Sequence, residues 1–127
     1  EKMQKLSFTK VKGEVLLINN AGTIGKIKPL NLKSEEAIIN EYNLNIIAPT
    51  LLCKKFLESF PTQEKLILNI SSGAANKSIP SWSTYCATKA ALDMLTGVIA
   101  EENHKNLTVF SVHPGVVDTN MQSEIRN

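Results

Sequence analysis

Tyr85 and Lys89 place a phenol and an ammonium four residues apart, and Ser72 places a hydroxyl thirteen residues before the phenol. Residues four apart on a helix stack on one face, so the first two groups meet if "WSTYCATKAALDML", Trp82 to Leu95, is helical. A free tyrosine hydroxyl ionises with a pKa of about 10, too high for efficient proton transfer near neutral pH. A cation one turn away favours the phenolate. A phenol so placed could take part in proton transfer, and a hydroxyl nearby could add a hydrogen bond. The Tyr-x-x-x-Lys spacing alone is a weak signal, because about one residue in ten here is lysine. The elements that position these residues have to supply the rest.

Three apolar runs recur: "EVLLINN" (Glu14 to Asn20), "KLILNIS" (Lys65 to Ser71) and "LTVFSV" (Leu107 to Val112). Each is short, rich in Val, Ile, Leu or Phe and closed by turn-forming residues, which predicts three strands. Two helical patterns lie between them. The first opens at Ser34, an N-cap followed by Glu35 and Glu36, and runs to about Ser59 before Pro61. The second runs from about Ser83 to Asn103, with Ala91, Leu92, Leu95, Val98 and Ile99 as its apolar stripe. Alternation of strand and helix predicts an α/β fold with a parallel sheet. Successive right-handed crossovers in one direction put both long helices on the same face. Strands this apolar are normally buried on both faces, so the other face is expected to be bare within these residues. The chain is therefore expected to be an incomplete doubly wound, Rossmann-type domain whose first βαβ half and last strand lie elsewhere.

The bulk composition excludes several classes of function. The length, 127 residues, suits one domain, and the 43% hydrophobic fraction suffices for a packed core. No stretch is apolar enough to span a bilayer, and no signal-peptide pattern opens the chain, so a cytoplasmic protein without a membrane partner is expected. A net charge of +2 is too small to argue for nucleic acid. The clustered Lys2, Lys5, Lys10 and Lys12 read as a solvated helix tail. Cys53 and Cys86 lack metal-ligand spacing and read as buried small hydrophobes. No metal site is expected.

Ligands of open parallel sheets bind beyond the carboxyl ends of the strands. Here those ends carry "NNAG" (Asn19 to Gly22), "SSG" (Ser71 to Gly73) and "HPG" (His113 to Gly115), small enough for close approach to the backbone. Ser71 faces the opposite side of its strand from Ser72 and is expected to close the turn. Pro49 cannot donate to the carbonyl of Asn45, which predicts a disrupted helix with a freed oxygen there.

Taken together, Asn-Asn-Ala-Gly at 19–22, Asn45, Ser72, Tyr85, Lys89 and Pro114-Gly115 followed by Thr119 resemble the short-chain dehydrogenase/reductase family. The resemblance covers almost the whole chain but only the second half of the family's domain. Within the family, "NISSGAA", "SWSTYC", "KAALDML" and "PGVVDTNMQ" are most similar to the sepiapterin reductase and bacterial benzil reductase branch. The resemblance implies that Tyr85 is the general acid, that Lys89 tunes it and bonds the cofactor ribose, and that Ser72 holds the substrate oxygen. It implies a proton relay through a water on the backbone of Asn45, preferred over Asn43 because of Pro49. Asn20, Ala21 and Gly22 resemble the stretch beside the adenosine, and Pro114, Gly115, Val117 and Thr119 the loop at the nicotinamide. Trp82 is either a wall of the substrate pocket or a loop anchor, and Met121 either lines that pocket or is exposed. His113 reads as structural and His104 as surface.

The implied function is NADP(H)-dependent reduction of a ketone or diketone, in a homodimer or homotetramer assembled through the two long helices. The family's glycine-rich phosphate loop and the residue that selects NAD(H) or NADP(H) are not in the sequence; the branch favours NADP(H). A pterin and an aromatic or vicinal diketone are equally defensible substrates. The rival readings are a truncated non-catalytic remnant and a regulatory binding module on the same fold.

Overall fold

The computed structural model describes residues 7–115, 121, 124 and 125. Three strands, β1 (Val15–Asn19), β2 (Lys65–Ile70) and β3 (Leu107–Val112), form a parallel sheet in the order β1-β2-β3. The links between them carry α1 (Glu35–Tyr42), α2 (Ala48–Ser59) and α3 (Ser83–Glu101). Short 3-10 turns occupy Leu30–Leu32 and Gly73–Asn76. The α/β architecture expected from the alternation is present, and the strand limits agree with the sequence to within a residue. Among the described residues no helix is long and apolar enough to cross a membrane.

The sheet register explains how a short chain builds a core. Val15, Lys65 and Leu107 pair in one row, Leu17, Ile67 and Val109 in the next, and Asn19, Asn69 and Ser111 in the last. Successive strand residues point to opposite faces, so these alternate rows all face the helices. Leu17, Ile67, Cys53, Phe56, Phe60 and Ile99 form the main buried cluster, with Leu95 and Leu107 packed against it. The Phe8, Phe56 and Phe60 rings meet at centroid distances of 5.2 to 5.9 Å, within the range of favourable aromatic pairs. Lys65 lies in the covered face by burying its stem while its Nζ donates to the carbonyls of Gln63 and Lys105.

The opposite face is uncovered: Leu16, Ile18 and Phe110 each remain more than half exposed. That asymmetry is the one expected from two crossovers in a single direction.

Ser34 caps α1, its hydroxyl accepting from the Ala37 amide at 3.2 Å. Between α1 and α2 the backbone widens into a π-helical turn, Asn43–Ile47, in which the Ala48 amide donates to the Asn43 carbonyl. Pro49 follows at the start of α2. The disruption expected from that proline is present as a wide turn inside an otherwise continuous helix.

Two sequence expectations need correction. Val98 is half exposed, because the stripe of α3 that faces the sheet is carried by Leu92, Thr96 and Ile99 instead. Lys10 and Lys12 are exposed as expected but lie in irregular chain, not a helix; Lys2 and Lys5 lie outside the described residues.

The two faces should respond differently to substitution. Ile67→Ala should cost about 2–5 kcal/mol of unfolding free energy, and Ile18→Thr on the bare face less than about 1 kcal/mol. Urea unfolding of the two variants checks this, and equal costs would contradict the one-sided core.

Candidate active site

The three predicted turn stretches lie together because β1, β2 and β3 end at Asn19, Ile70 and Val112 on one edge of the sheet. The last covered row supplies the floor. Asn19 donates to Asn69 at 2.8 Å, Asn69 donates to Thr96 at 2.9 Å, and Thr96 returns to α3 through the Leu92 carbonyl. Asn69 is fully buried, so each amide bond made here offsets a desolvation cost. This network ties the ends of two strands to the middle of α3. Cys53 sits beside it, its thiol pushed up by burial against smaller effects of its hydrogen bonds to Asn69 Oδ1 and from Asn19 Nδ2. Both Cys53 and Cys86 are free thiols.

Above that floor stands Lys89, 4% exposed although charged. Its Nζ donates to the Ile70 carbonyl at 2.9 Å, the last residue of β2, and lies 5.8 Å from the centre of the Tyr85 ring. Burial pushes the Lys89 ammonium below the ordinary lysine range, opposed by the charge of Asp93. Gly22 closes the other side: a Cβ there would sit 3.3 Å from Lys89 Nζ and 3.5 Å from Asn45 Oδ1. The glycine thus serves close packing of the chain on Lys89, whereas the sequence suggested close approach of a ligand.

Asn45 is 1% exposed and holds the loop after β1 by both ends of its amide. Its Oδ1 accepts from the Thr23 amide at 2.8 Å, and its Nδ2 donates to the Thr23 carbonyl at 2.8 Å and to Thr88 Oγ1 at 3.1 Å. Asn43, by contrast, is exposed. One side chain on the π-helical turn therefore fixes a loop and the Tyr85–Lys89 helix against each other.

Tyr85 packs with Ile24 and Ala74 in a second buried cluster, against which Trp82, Cys86, Met121 and Ile125 lie. The Trp82 and Tyr85 rings meet edge to face at 5.8 Å. Ser72 opens the 3-10 turn that carries Ala74 onto Tyr85, and its hydroxyl accepts from the Ala74 amide at 3.1 Å. The turn is thus closed by Ser72, not by Ser71 as expected. Ser71 is buried, with its hydroxyl 3.4 Å from the Lys89 carbonyl, because strand alternation points it at α3.

Asn20, Ala21, Pro114 and Gly115 are exposed at the same edge, and Gly115 has a φ of +80°, which favours glycine. Val117 and Thr119 lie outside the described residues. His104 is a surface residue beside Glu102. Gly22, Asn45, Lys89 and Tyr85 are neighbours, and Tyr85 packs with Trp82, Met121 and the turn that Ser72 opens.

Two clusters escaped the sequence reading. Glu41, 3% exposed, pairs with Lys33 at 3.0 Å and accepts from the Thr84 hydroxyl. It packs so tightly on Gly25 (φ +65°) that a Cβ there would fall 1.8 Å from Glu41 Oε1. This locks the β1–α1 loop to the first turn of α3, next to Tyr85. An open groove of about 880 Å³ runs alongside, lined by Thr23, Gly25, Ile27, Glu41, Leu44 and Ile125. The second cluster is Asp93, which accepts from Ser111 and lies 2.9 Å from His113 Nε2. Burial raises the Asp93 carboxyl, but bonds from Ser111, Ser71 and His113 outweigh it and hold the group below the ordinary aspartate range. The glycine at 25 and the i, i+4 spacing of Lys89 and Asp93 were visible signals; the partners from distant segments were not.

A parallel three-stranded sheet joined by helical crossovers is the α/β architecture of Rossmann-type domains. The short chain dehydrogenase family model matches residues 6–127, and the chain belongs to that family. It is 39% identical over 117 residues to a benzil reductase ((S)-benzoin forming) of Bacillus cereus, covering 87% of this chain and 46% of that protein. It is 40% identical over 117 residues to the sepiapterin reductase of Rattus norvegicus, covering 88% and 44%. The crystal structure of a short-chain dehydrogenase/reductase from Burkholderia vietnamiensis superposes with a TM-score of 0.79 at 37% identity, covering 90% and 55%. An alcohol dehydrogenase from Thermococcus sibiricus, complexed with 5-hydroxy-NADP, gives 0.77 at 29% identity, covering 86% and 46%. The chain spans about half the length of the curated relatives it matches.

Two measurements probe this geometry. Asn45→Asp removes two donated bonds and buries a carboxylate near the Thr23 carbonyl, so it should cost about 2–4 kcal/mol by urea unfolding. Asp93 has a depressed folded pKa, so its stabilisation is present above the ordinary value of about 3.9 and is lost as pH falls through the lower folded value. The acid limb of stability against pH should therefore be shallower in Asp93→Asn than in the wild-type chain.

Proposed function

We propose that this chain supplies the catalytic side of an NADP(H)-dependent carbonyl reductase acting on a ketone or diketone, in the manner of the benzil and sepiapterin reductases it resembles. The observation that carries the reading is the buried ammonium of Lys89 set 5.8 Å from the Tyr85 ring at the open edge of the sheet. The residues present fit the nicotinamide end of a dinucleotide. Lys89 Nζ spends one of its three protons on Ile70 and retains donors for a ribose hydroxyl. Asn20, Ala21, Pro114 and Gly115 offer exposed backbone beside it. Nothing in the sequence matches the glycine-rich loop that would hold the phosphates. The bound cofactor would supply the hydride.

The protein side of the reaction then follows from position. Ser72 donates its hydroxyl proton to the substrate oxygen while its own oxygen still accepts from the Ala74 amide. Tyr85 delivers the proton to that oxygen, and the Lys89 charge steadies the phenolate left behind. Asn45 holds the loop and helix in register, with a backbone carbonyl in the π-helical turn available to a water that returns the proton. Trp82, Met121 and Ile125 give the opening an apolar wall suited to an aromatic ketone. NADP(H) is the proposed nucleotide; solved structures equally similar to this chain hold 5-hydroxy-NADP in one case and NADH in another.

The exposed Ile39, Ile47, Met94 and Val98 on the long helices support assembly into a homodimer or homotetramer, in a cytoplasmic protein.

Tyr85→Phe, in the gene product that contains this chain, should lower the rate constant for benzil reduction by at least about 100-fold with NADPH affinity retained. Near wild-type turnover would reject the proton-donor role. Tight NADPH binding by the 127-residue chain alone would reject the remnant reading.

A further inference from the structure

Asp93 stands one helical turn beyond Lys89 on α3 and takes no part in the reaction proposed above. Its partners come from the end of β3. The Ser111 hydroxyl on β3 donates to one oxygen, and His113 Nε2, just beyond β3, lies 2.9 Å from the other. The buried Ser71 hydroxyl, just beyond β2, donates to the Lys89 carbonyl on the same helix. A carboxylate at a helix surface needs no such partners; two converging groups fix a negative charge at one point.

The buried Lys89 ammonium belongs to the residue one helical turn away on α3. Lys89 is sunk between Gly22, Asn45 and the Tyr85 ring, with the neutral Ile70 carbonyl as its hydrogen-bond acceptor. The titratable groups around Lys89 are Tyr85 one turn before it and Asp93 one turn after it. Those around Asp93 are Lys89 and His113.

We propose that Asp93 is a positioning residue whose strand-anchored carboxylate keeps Lys89 in its ammonium form and, through His113, pins the Pro114-Gly115 loop against the same helix. The opposed causes acting on Lys89 agree with this: burial favours the neutral amine, and the charge of Asp93 favours the cation. The consequence for catalysis rests on the carbonyl-reductase reading, whereas the electrostatic link does not.

The test is an NMR pH titration of the chain labelled with ¹³C-lysine, the Lys89 Cε signal being assigned by its loss in Lys89→Met. In the wild-type chain that signal should show an acidic inflection as Asp93 takes up a proton, besides its own alkaline titration. Asp93→Asn should erase the acidic inflection and move the Lys89 midpoint downward, and Asp93→Glu should restore both in direction. An unchanged midpoint in a folded Asp93→Asn chain would overturn the proposal. If that variant does not fold, absence of the acidic inflection in the wild type overturns it alone. No cofactor or ketone is present, so a failed reductase reading would leave this result untouched, and the reverse also holds.

Discussion

A cation removed from water is the constraint on which this structure turns. Burying the Lys89 ammonium without compensation would cost several kcal/mol, so every element that touches it has to give it either an acceptor, a counter-charge or a π face. The acceptor comes from the last carbonyl of β2 and the π face from Tyr85 one turn earlier, while the charge of Asp93, one turn later, acts on it through space. Gly22 is small because the ammonium already occupies the space a side chain would need. Placement of the loop after β1, the end of β2 and the face of α3 is thus decided together.

Around that point the polar groups are satisfied in two tiers. The lower tier, Asn19 to Asn69 to Thr96, binds strand ends to α3 beneath the site. The upper tier, Thr23 to Asn45 to Thr88, binds loop and helix beside it. Both tiers sit at the carboxyl edge, while the opposite half of the covered face is filled by Phe56, Phe60, Ile67 and Ile99. Satisfied polar networks hold geometry more sharply than apolar contacts, which slide, and a proton-transfer site needs its groups fixed to within a fraction of an ångström. The greasy half of the core holds the fold together, and the polar half fixes the site.

Much of this was legible in residue order because it depends on local rules. The short apolar runs closed by turn residues gave the strands, the Ser34 hydroxyl gave a helix start, and the absent N–H of Pro49 foretold a disrupted helix at Asn45. The i, i+4 spacing put Tyr85 and Lys89 on one face. What was not legible depends on register and long-range approach. Lys33, Glu41 and Thr84 become one cluster only because Gly25 lets the loop fold onto α1. The turn is closed by Ser72 and not by Ser71 because a turn can be closed from either side of a strand, and only the position of α3 decides which hydroxyl is drawn inward. Val98 belonged to the right apolar pattern on the wrong side of it, since the sheet meets α3 along Leu92, Thr96 and Ile99.

The account stands or falls on Lys89 being packed where the sheet ends. A nuclear Overhauser spectrum of the chain measures this directly, through cross-peaks of the Lys89 ε-methylene protons. The structure predicts cross-peaks to both the Gly22 α-protons and the Tyr85 ring protons. Their absence, with the Lys89 side chain showing the averaged shifts of a free surface lysine, would contradict it.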